Sequence, residues 1–262
     1  MELSHDYQRV YVWEQPVRWF HWINAASVVA LGVTGWLIAH PPAFMTAQEA
    51  SFGYWFGTVR FVHFLFGYIF AANFAFRVYW SLVGNKFANW RNFFPMTAAQ
   101  IRQIWAVLKV DVFQSSNKAV HTLGHNSMAY FTYAGTGFLT VFQIVSGFAL
   151  YAPTSESWFP QLFTWIVPLC GGEFTLRIFH YAILWAFVIF TTIHVYLTFY
   201  HDYVEGHGVI SSIVGGWKFM EKHQAEAEQA TGISAFPELK EKTPAAQPTT
   251  TAKAKTKPHP AG

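Results

Sequence analysis

The chain is poor in cysteine and poor in charge. Its 262 residues include one cysteine, Cys170, and only 12% are charged. A single thiol closes no internal disulfide, and an iron–sulfur cluster needs several cysteine ligands, so this chain holds none. No Cys-x-x-Cys-His occurs, which excludes covalent c-type haem. Cys170 reads as an ordinary loop residue. The net charge of +3 comes without a basic face interleaved with exposed aromatics, so nucleic acid is not an expected partner. None of the apolar runs has the layout of a cleavable signal peptide, because the first is long and begins only after a polar stretch.

What the chain has instead is grease. It is 53% hydrophobic and 19% aromatic, too much of both for an average soluble domain. A hydrocarbon core of about 30 Å is crossed by a helix of about 20 apolar residues. Stretches long enough to do so run from roughly Trp19 to Ala39, Phe61 to Val83, Ser127 to Tyr151 and Ile178 to Tyr200. The expected fold class is all-α, an integral membrane four-helix bundle. Residues 1–18 form an N-terminal segment, 19–220 the transmembrane domain and 221–262 a tail.

Lysine and arginine orient the bundle. The connection from Gly84 to Asn126 carries Lys86, Arg91, Arg102, Lys109 and Lys118, and seven lysines follow Tyr200. The connections 41–58 and 152–176 carry neither residue. Both termini are therefore expected in the cytoplasm, with the protein in a bacterial inner membrane.

The long connection continues after Pro95 as "TAAQIRQIWAVLKVDVF". Thr97 and Gln100 have capping-box spacing, and Ile101, Ile104, Trp105, Leu108 and Val112 recur at helical spacing. A short helix on the membrane surface is expected there. "VEGHGVISSIVGGWKF" reads as interfacial too. From about Gln224 the chain is Ala, Glu, Gln, Lys, Thr and Pro, with little to pack, and is expected to be disordered.

Histidines interrupt the apolar runs. Ionisable groups inside a membrane helix are candidates for function. His180 and His194 are 14 residues apart, nearly four full turns, so they share a helix face. The rise between them is about 21 Å, too far for one metal ion and suited to one site in each leaflet. Each site needs a partner at the same depth. His21, at the cytoplasmic start of the first span, matches His194. His63, at the outer start of the second, matches His180. Two imidazoles from facing helices clamping one flat macrocycle is axial ligation of b-type haem. The expected irons are an outer one on His63 and His180 and an inner one on His21 and His194. Gly32, Gly35, Gly67, Gly135, Gly137 and Gly147 supply room for porphyrin or plain helix packing.

Arginine precedes three of these histidines by three residues: Arg18 and His21 in "RWFH", Arg60 and His63 in "RFVH", Arg177 and His180 in "RIFH". Such pairs share a face, with the arginine nearer water. Haem propionates are anions that reach the same way. Arg60 and Arg177 also stand on the side that positive-inside topology keeps free of basic residues. The alternative for each is a snorkelling anchor. Arg77, 14 residues after His63, falls near the inner haem as a propionate partner or an interfacial anchor. His125 and Asn126 open the third span at the inner haem's depth. They can hold a quinone carbonyl, or Asn126 can simply cap the helix. His201 faces the same way as His194 but lies at or beyond the membrane edge. His40, beside Pro41 and Pro42, sits in a loop. His5, His207, His223 and His259 read as solvated.

From "YVWEQPVRWFHW" to "GVISSIVGGWKF" the chain resembles the b-type cytochrome subunits of membrane-bound Ni/Fe hydrogenases. "FRVYWSLVGNKF", "GHNSMAYFTY", "VSGFALY" and "RIFHYAILWAFVIFTTIHVY" carry the likeness over about 210 of 262 residues. More distantly it is similar to the cytochrome subunit of respiratory formate dehydrogenase. The resemblance implies four helices around two haems b, with the same histidine pairing, and a quinone site near His194 and Asn126. It also implies that the chain anchors the hydrogenase small and large subunits and takes electrons from the iron–sulfur small subunit. Hydrogenase chemistry would stay in those partners, and membrane quinone would be the acceptor. The lysine-containing tail lies outside the likeness.

Other donors fit the same histidine logic: formate dehydrogenase, thiosulfate reductase, or a free-standing haem b quinone oxidoreductase. A haem-free membrane anchor is the alternative of another class. Cytochrome b of the large quinol-oxidising complexes fits poorly, because it carries two histidines on each of two helices, and here only the fourth span does.

Overall fold

A computed structural model describes residues 7–43, 53–85, 87–90, 104–105, 127–206, 208–222 and 226. Four helices in it are long and apolar enough to cross a membrane. They are α1 (Gln15–Ala39), α2 (Trp55–Val83), α3 (Ser127–Tyr151) and α6 (Glu173–Glu205). One-turn helices α4 (Trp158–Gln161) and α5 (Ile166–Leu169) lie between α3 and α6, and α7 (Val209–Gly215) follows α6. The spans extend beyond their apolar runs because local signals set their ends. Proline in the first turn starts α1. Glu173 opens α6, where an acid suits the helix dipole, and the left-handed Gly206 (φ 65°) closes it.

The two halves are hairpins. α1 packs along α2 and α3 along α6, and α1–α6 and α2–α3 contacts close the ring. Large apolar side chains such as Trp19, Val29, Phe61, Phe138, Ile189 and Phe199 point outward. That surface suits lipid, and the helices satisfy their own backbone within it. Inside, several buried side chains of the spans are small or polar: Ser27, Thr34, Asn73, Arg77, Thr140 and Ser146.

Buried apolar clusters sit at the two ends instead. At one end Val10, Val12, Trp13, Val17, Phe87 and Ala88 pack with Trp80 and Ile213. The Glu14 carboxylate pins this end, accepting from Trp80 Nε1 and from the Asn85 amide, both at 2.9 Å. Asn85 Nδ2 donates in turn to the Val12 carbonyl at 3.0 Å. The opposite end packs Ala149, Ile166 and Leu176, with Cys170 against them. Cys170 is half-buried in the turn that follows α5, where it caps the helix.

The structure also holds strands, which the all-α expectation did not include. β1 (Tyr7–Tyr11) pairs antiparallel with β2 (Trp217–Glu221), Tyr7 opposite Glu221 and Tyr11 opposite Trp217. This ribbon joins the segment before α1 to the end of "GVISSIVGGWKF", so residues 7–11 belong to the same folded unit as the bundle. Gly216 makes the corner. Its carbonyl accepts from the amides of Val12 and Trp13 at 2.9 and 3.2 Å, and its φ is 89°. A Cβ there would meet the Tyr11 ring at 2.5 Å and the Trp13 carbonyl oxygen at 2.8 Å. The expected surface helix at 97–112 falls outside the described residues except for Ile104 and Trp105, which are helical. The tail 221–262 falls outside except for Glu221, Lys222 and Glu226.

The corner yields a paired prediction. Gly216→Ala should destabilise the detergent-solubilised protein by about 1–3 kcal/mol, the scale of a strained backbone residue. Gly215→Ala, whose Cβ meets nothing within 4 Å, should be neutral or slightly stabilising. Thermal melts of the two variants check this, and equal midpoints would remove Gly216 from the account of the ribbon.

Candidate cofactor site

α6 is one continuous helix from Glu173 to Glu205, so His180 and His194 keep the shared face and the spacing of about 21 Å expected for them. His194 stands at the ribbon end of the bundle. The His21 ring of α1 lies beside it, with ring centres 6.3 Å apart and planes at 53°. A metal–imidazole bond of about 2 Å on each side, plus roughly 1 Å from nitrogen to ring centre, puts two trans imidazoles about 6 Å apart. The observed separation suits a metal between them. Phe190 stacks on His194 at 5.6 Å, and the edge of Trp22 meets His21 at 5.1 Å. Nδ1 of His21 is buried with no hydrogen-bond partner, so its lone pair or proton is uncommitted.

His63 and His180 stand at the opposite end, within electrostatic range of each other. Each is backed by a hydroxyl and a glycine from the neighbouring ascending helix. Thr34 Oγ1 of α1 meets His63 Nδ1 at 2.9 Å, and Ser146 Oγ of α3 meets His180 Nδ1 at 2.8 Å. A Cβ on Gly35 would come within 3.3 Å of His63 Cε1, and one on Gly147 within 3.2 Å of His180 Cε1. These two glycines therefore let an imidazole lie against a helix backbone. Gly32 instead faces Leu184 Cδ1 at 3.5 Å, and Gly67, Gly135 and Gly137 face open space.

The arginines divide. Arg60 lies over the Phe64 ring, 5.7 Å from its centre. Arg177 is ion-paired with Glu173 one turn back, and both side chains are more than half exposed. Arg18 donates to the Val214 carbonyl at the end of α7, and its Nε is buried without a partner. Arg77 is buried, so it is no interfacial anchor. It donates to the Ala88 carbonyl at 3.2 Å and lies over Phe20 at 5.7 Å and Tyr133 at 5.5 Å. His40 ends α1 and stacks on Trp36 at 5.9 Å, and His201 lies on α6 beside Tyr200. His125 and Asn126 lie outside the described residues.

Sequence reasoning missed Thr34, Ser146, Tyr133 and Glu173. Three of these had a visible signal. A hydroxyl residue followed by glycine recurs near the far end of both ascending spans, as Thr34–Gly35 and Ser146–Gly147. Glu173 stands four residues before Arg177, the spacing of a helical ion pair.

The family model described as prokaryotic cytochrome b561 matches residues 12–216. A probable Ni/Fe-hydrogenase B-type cytochrome subunit of Azotobacter vinelandii is 38% identical over 215 residues, covering 80% of this chain and 88% of that one. Its counterpart in Cupriavidus necator is 35% identical over 212 residues, covering 79% and 86%. A probable Ni/Fe-hydrogenase 1 B-type cytochrome subunit of Escherichia coli K12 is 29% identical over 213 residues, covering 79% and 90%. With the apolar spans and the paired imidazoles, these matches make the chain a multi-pass membrane cytochrome of b type, a member of the prokaryotic cytochrome b561 family.

Proposed function

We propose that the chain holds two haems b and conducts electrons across the inner membrane, from a Ni/Fe hydrogenase on the outer side to membrane quinone on the inner side. The observation that carries this is the α6 face. It presents histidines at two depths, with the His21 ring beside His194 and His63 within electrostatic range of His180. Haem b, when bound, supplies reversible one-electron exchange. The chain's own residues do the rest. His63 and His180 would hold the outer iron and His21 and His194 the inner one, each through a neutral ring nitrogen. The small and polar interior leaves room and excludes lipid. Arg60 and Arg177 would meet the outer propionates, and Arg77, buried near His21's helix, the inner ones. Arg18 engages the Val214 carbonyl through Nη1 and has a buried, unpartnered Nε to offer.

The hydrogenase partner rests on the names of the relatives. The orientation, with both termini cytoplasmic, rests on the lysine-rich segments that flank the ribbon end. His125 and Asn126 remain the proposed quinone contacts. Charge moved between the depths of His180 and His194 crosses most of the bilayer, so turnover should build membrane potential.

Two tests follow. A pyridine haemochrome assay on the intact complex should give two haems per chain, and a ratio near one contradicts the proposal. His194→Ala should then remove one haem and stop quinone reduction while hydrogen oxidation with a soluble dye survives. Loss of both activities would indicate misfolding.

The second test concerns potentials. Reduction adds negative charge, so removing a nearby positive charge favours the ferric state. Arg60→Gln and Arg177→Gln should each lower the midpoint of one haem and leave the other nearly unmoved. Glu173→Gln, which frees Arg177 from its ion pair, should raise the same midpoint. Redox titrations in which neither midpoint moves, or both move equally, would make these arginines surface anchors.

A further inference from the structure

The two hydroxyls behind His63 and His180 carry a directional argument. A hydroxyl has one proton to donate. Thr34 Oγ1 lies 2.6 Å from the Ala30 carbonyl, and Ser146 Oγ lies 2.6 Å from the Phe142 carbonyl. At that distance each oxygen must be donating to the carbonyl, since two acceptors would repel. The same oxygen then has only lone pairs to offer the imidazole, 2.9 Å away for His63 and 2.8 Å for His180. Nδ1 must therefore be the protonated nitrogen of both rings. Nε2 is left as the bare acceptor.

The arrangement occurs twice, once in each hairpin. Thr34–Gly35 of α1 backs the histidine of α2, and Ser146–Gly147 of α3 backs the histidine of α6. The repeat breaks at the ribbon end. Thirteen residues before Thr34 stands His21, but thirteen before Ser146 stands Tyr133. Fourteen residues after His180 stands His194, but fourteen after His63 stands Arg77. The positions that would hold a second histidine pair hold instead the Arg77–Tyr133 contact of 5.5 Å. The His21 ring of the surviving pair has no hydroxyl behind its Nδ1.

We propose that Thr34 and Ser146 are positioning residues that accept the Nδ1 protons of His63 and His180, so that one of the two haems has both axial rings locked in tautomer and plane while the other does not. This rests on the two-haem reading above. An acceptor on Nδ1–H raises the basicity of the ligating nitrogen and fixes the ring's orientation. A more basic ligand favours ferric iron. The locked haem should therefore be the one whose potential and ring orientation answer to these hydroxyls.

The test uses the intact complex with Ser146→Ala and Thr34→Val, and with Ser146→Thr and Thr34→Ser as conservative variants. The readouts are haem content, optical redox titration and low-temperature EPR of the ferric haems. Ser146→Ala should raise the midpoint of one haem, the one that His194→Ala retains, and shift its low-spin EPR signal. The other haem should stay unmoved. Apparent affinity for the shifted haem should fall by about 10–100-fold, as for other lost ligand-orienting bonds. Thr34→Val should do the same to that haem, since Thr34 Oγ1 stands at His63 Nδ1 as Ser146 Oγ stands at His180 Nδ1. The hydroxyl-bearing variants should behave as wild type. The sign is opposite to that of the arginine variants, which separates ligand basicity from lost positive charge. Unmoved potentials and EPR signals in Ser146→Ala would overturn the inference, as would equal shifts in both haems or a Ser146→Thr variant as altered as the alanine. A wild-type count of one haem would sink the two-haem reading alone if that haem still answered to Ser146→Ala, and both proposals if it did not.

Discussion

Hydrocarbon offers an imidazole no hydrogen bond, and everything in the middle of this bundle follows from that. A histidine inside a span must find its partner on another helix or carry an unmet polar atom. His63 and His180 find hydroxyls on the next helix of their own hairpin. His21 finds only the edge of Trp22 and the ring of His194, and its Nδ1 is unmet. Two of these rings are thus held by hydroxyls, while Nδ1 of His21 stays uncommitted.

Such an interior cannot be stabilised by its own packing. The apolar clusters are accordingly placed at the ends, where the hairpins are tied. At one end Glu14 bridges the start of α1 to the end of α2, and the β1–β2 ribbon joins the segment before α1 to the segment after α7. At the other, α4 and α5 fill the space beneath Ala149 and Leu176. Between these two layers the hairpins touch less extensively than the helices within each hairpin do. That division ties the hairpins together through their ends.

The arginines show why charge at the edge of a membrane is harder to interpret than histidine inside it. A buried imidazole has few ways to be satisfied. An arginine at the water boundary has many, and the structure displays several: an aromatic face for Arg60, an acid for Arg177, a helix-terminal carbonyl for Arg18. Among the described arginines Arg77 is the one drawn fully inside, where a carbonyl and two aromatic rings surround it. Its position fourteen residues past His63 mirrors that of His194 past His180, so the ribbon end carries a His21–His194 contact and an Arg77–Tyr133 contact, each made between the two hairpins.

The four spans, their approximate limits and the shared face of His180 and His194 were legible in the letters. Each of these depends on a local quantity: the length of an apolar run, the rise per residue, or a spacing of fourteen along one helix. It could not disclose the ribbon, because Tyr7 and Glu221 meet only after the whole chain has folded between them. Nor could it say that Ser146 faces His180 or that Tyr133 faces Arg77, since those contacts depend on how two helices are rotated against each other. The hydroxyl–glycine dipeptides were in plain view as letters. Only the tertiary structure decided their role, because a hydroxyl's partner is set by which helix lies within 3 Å of it, and no spacing along one helix contains that distance.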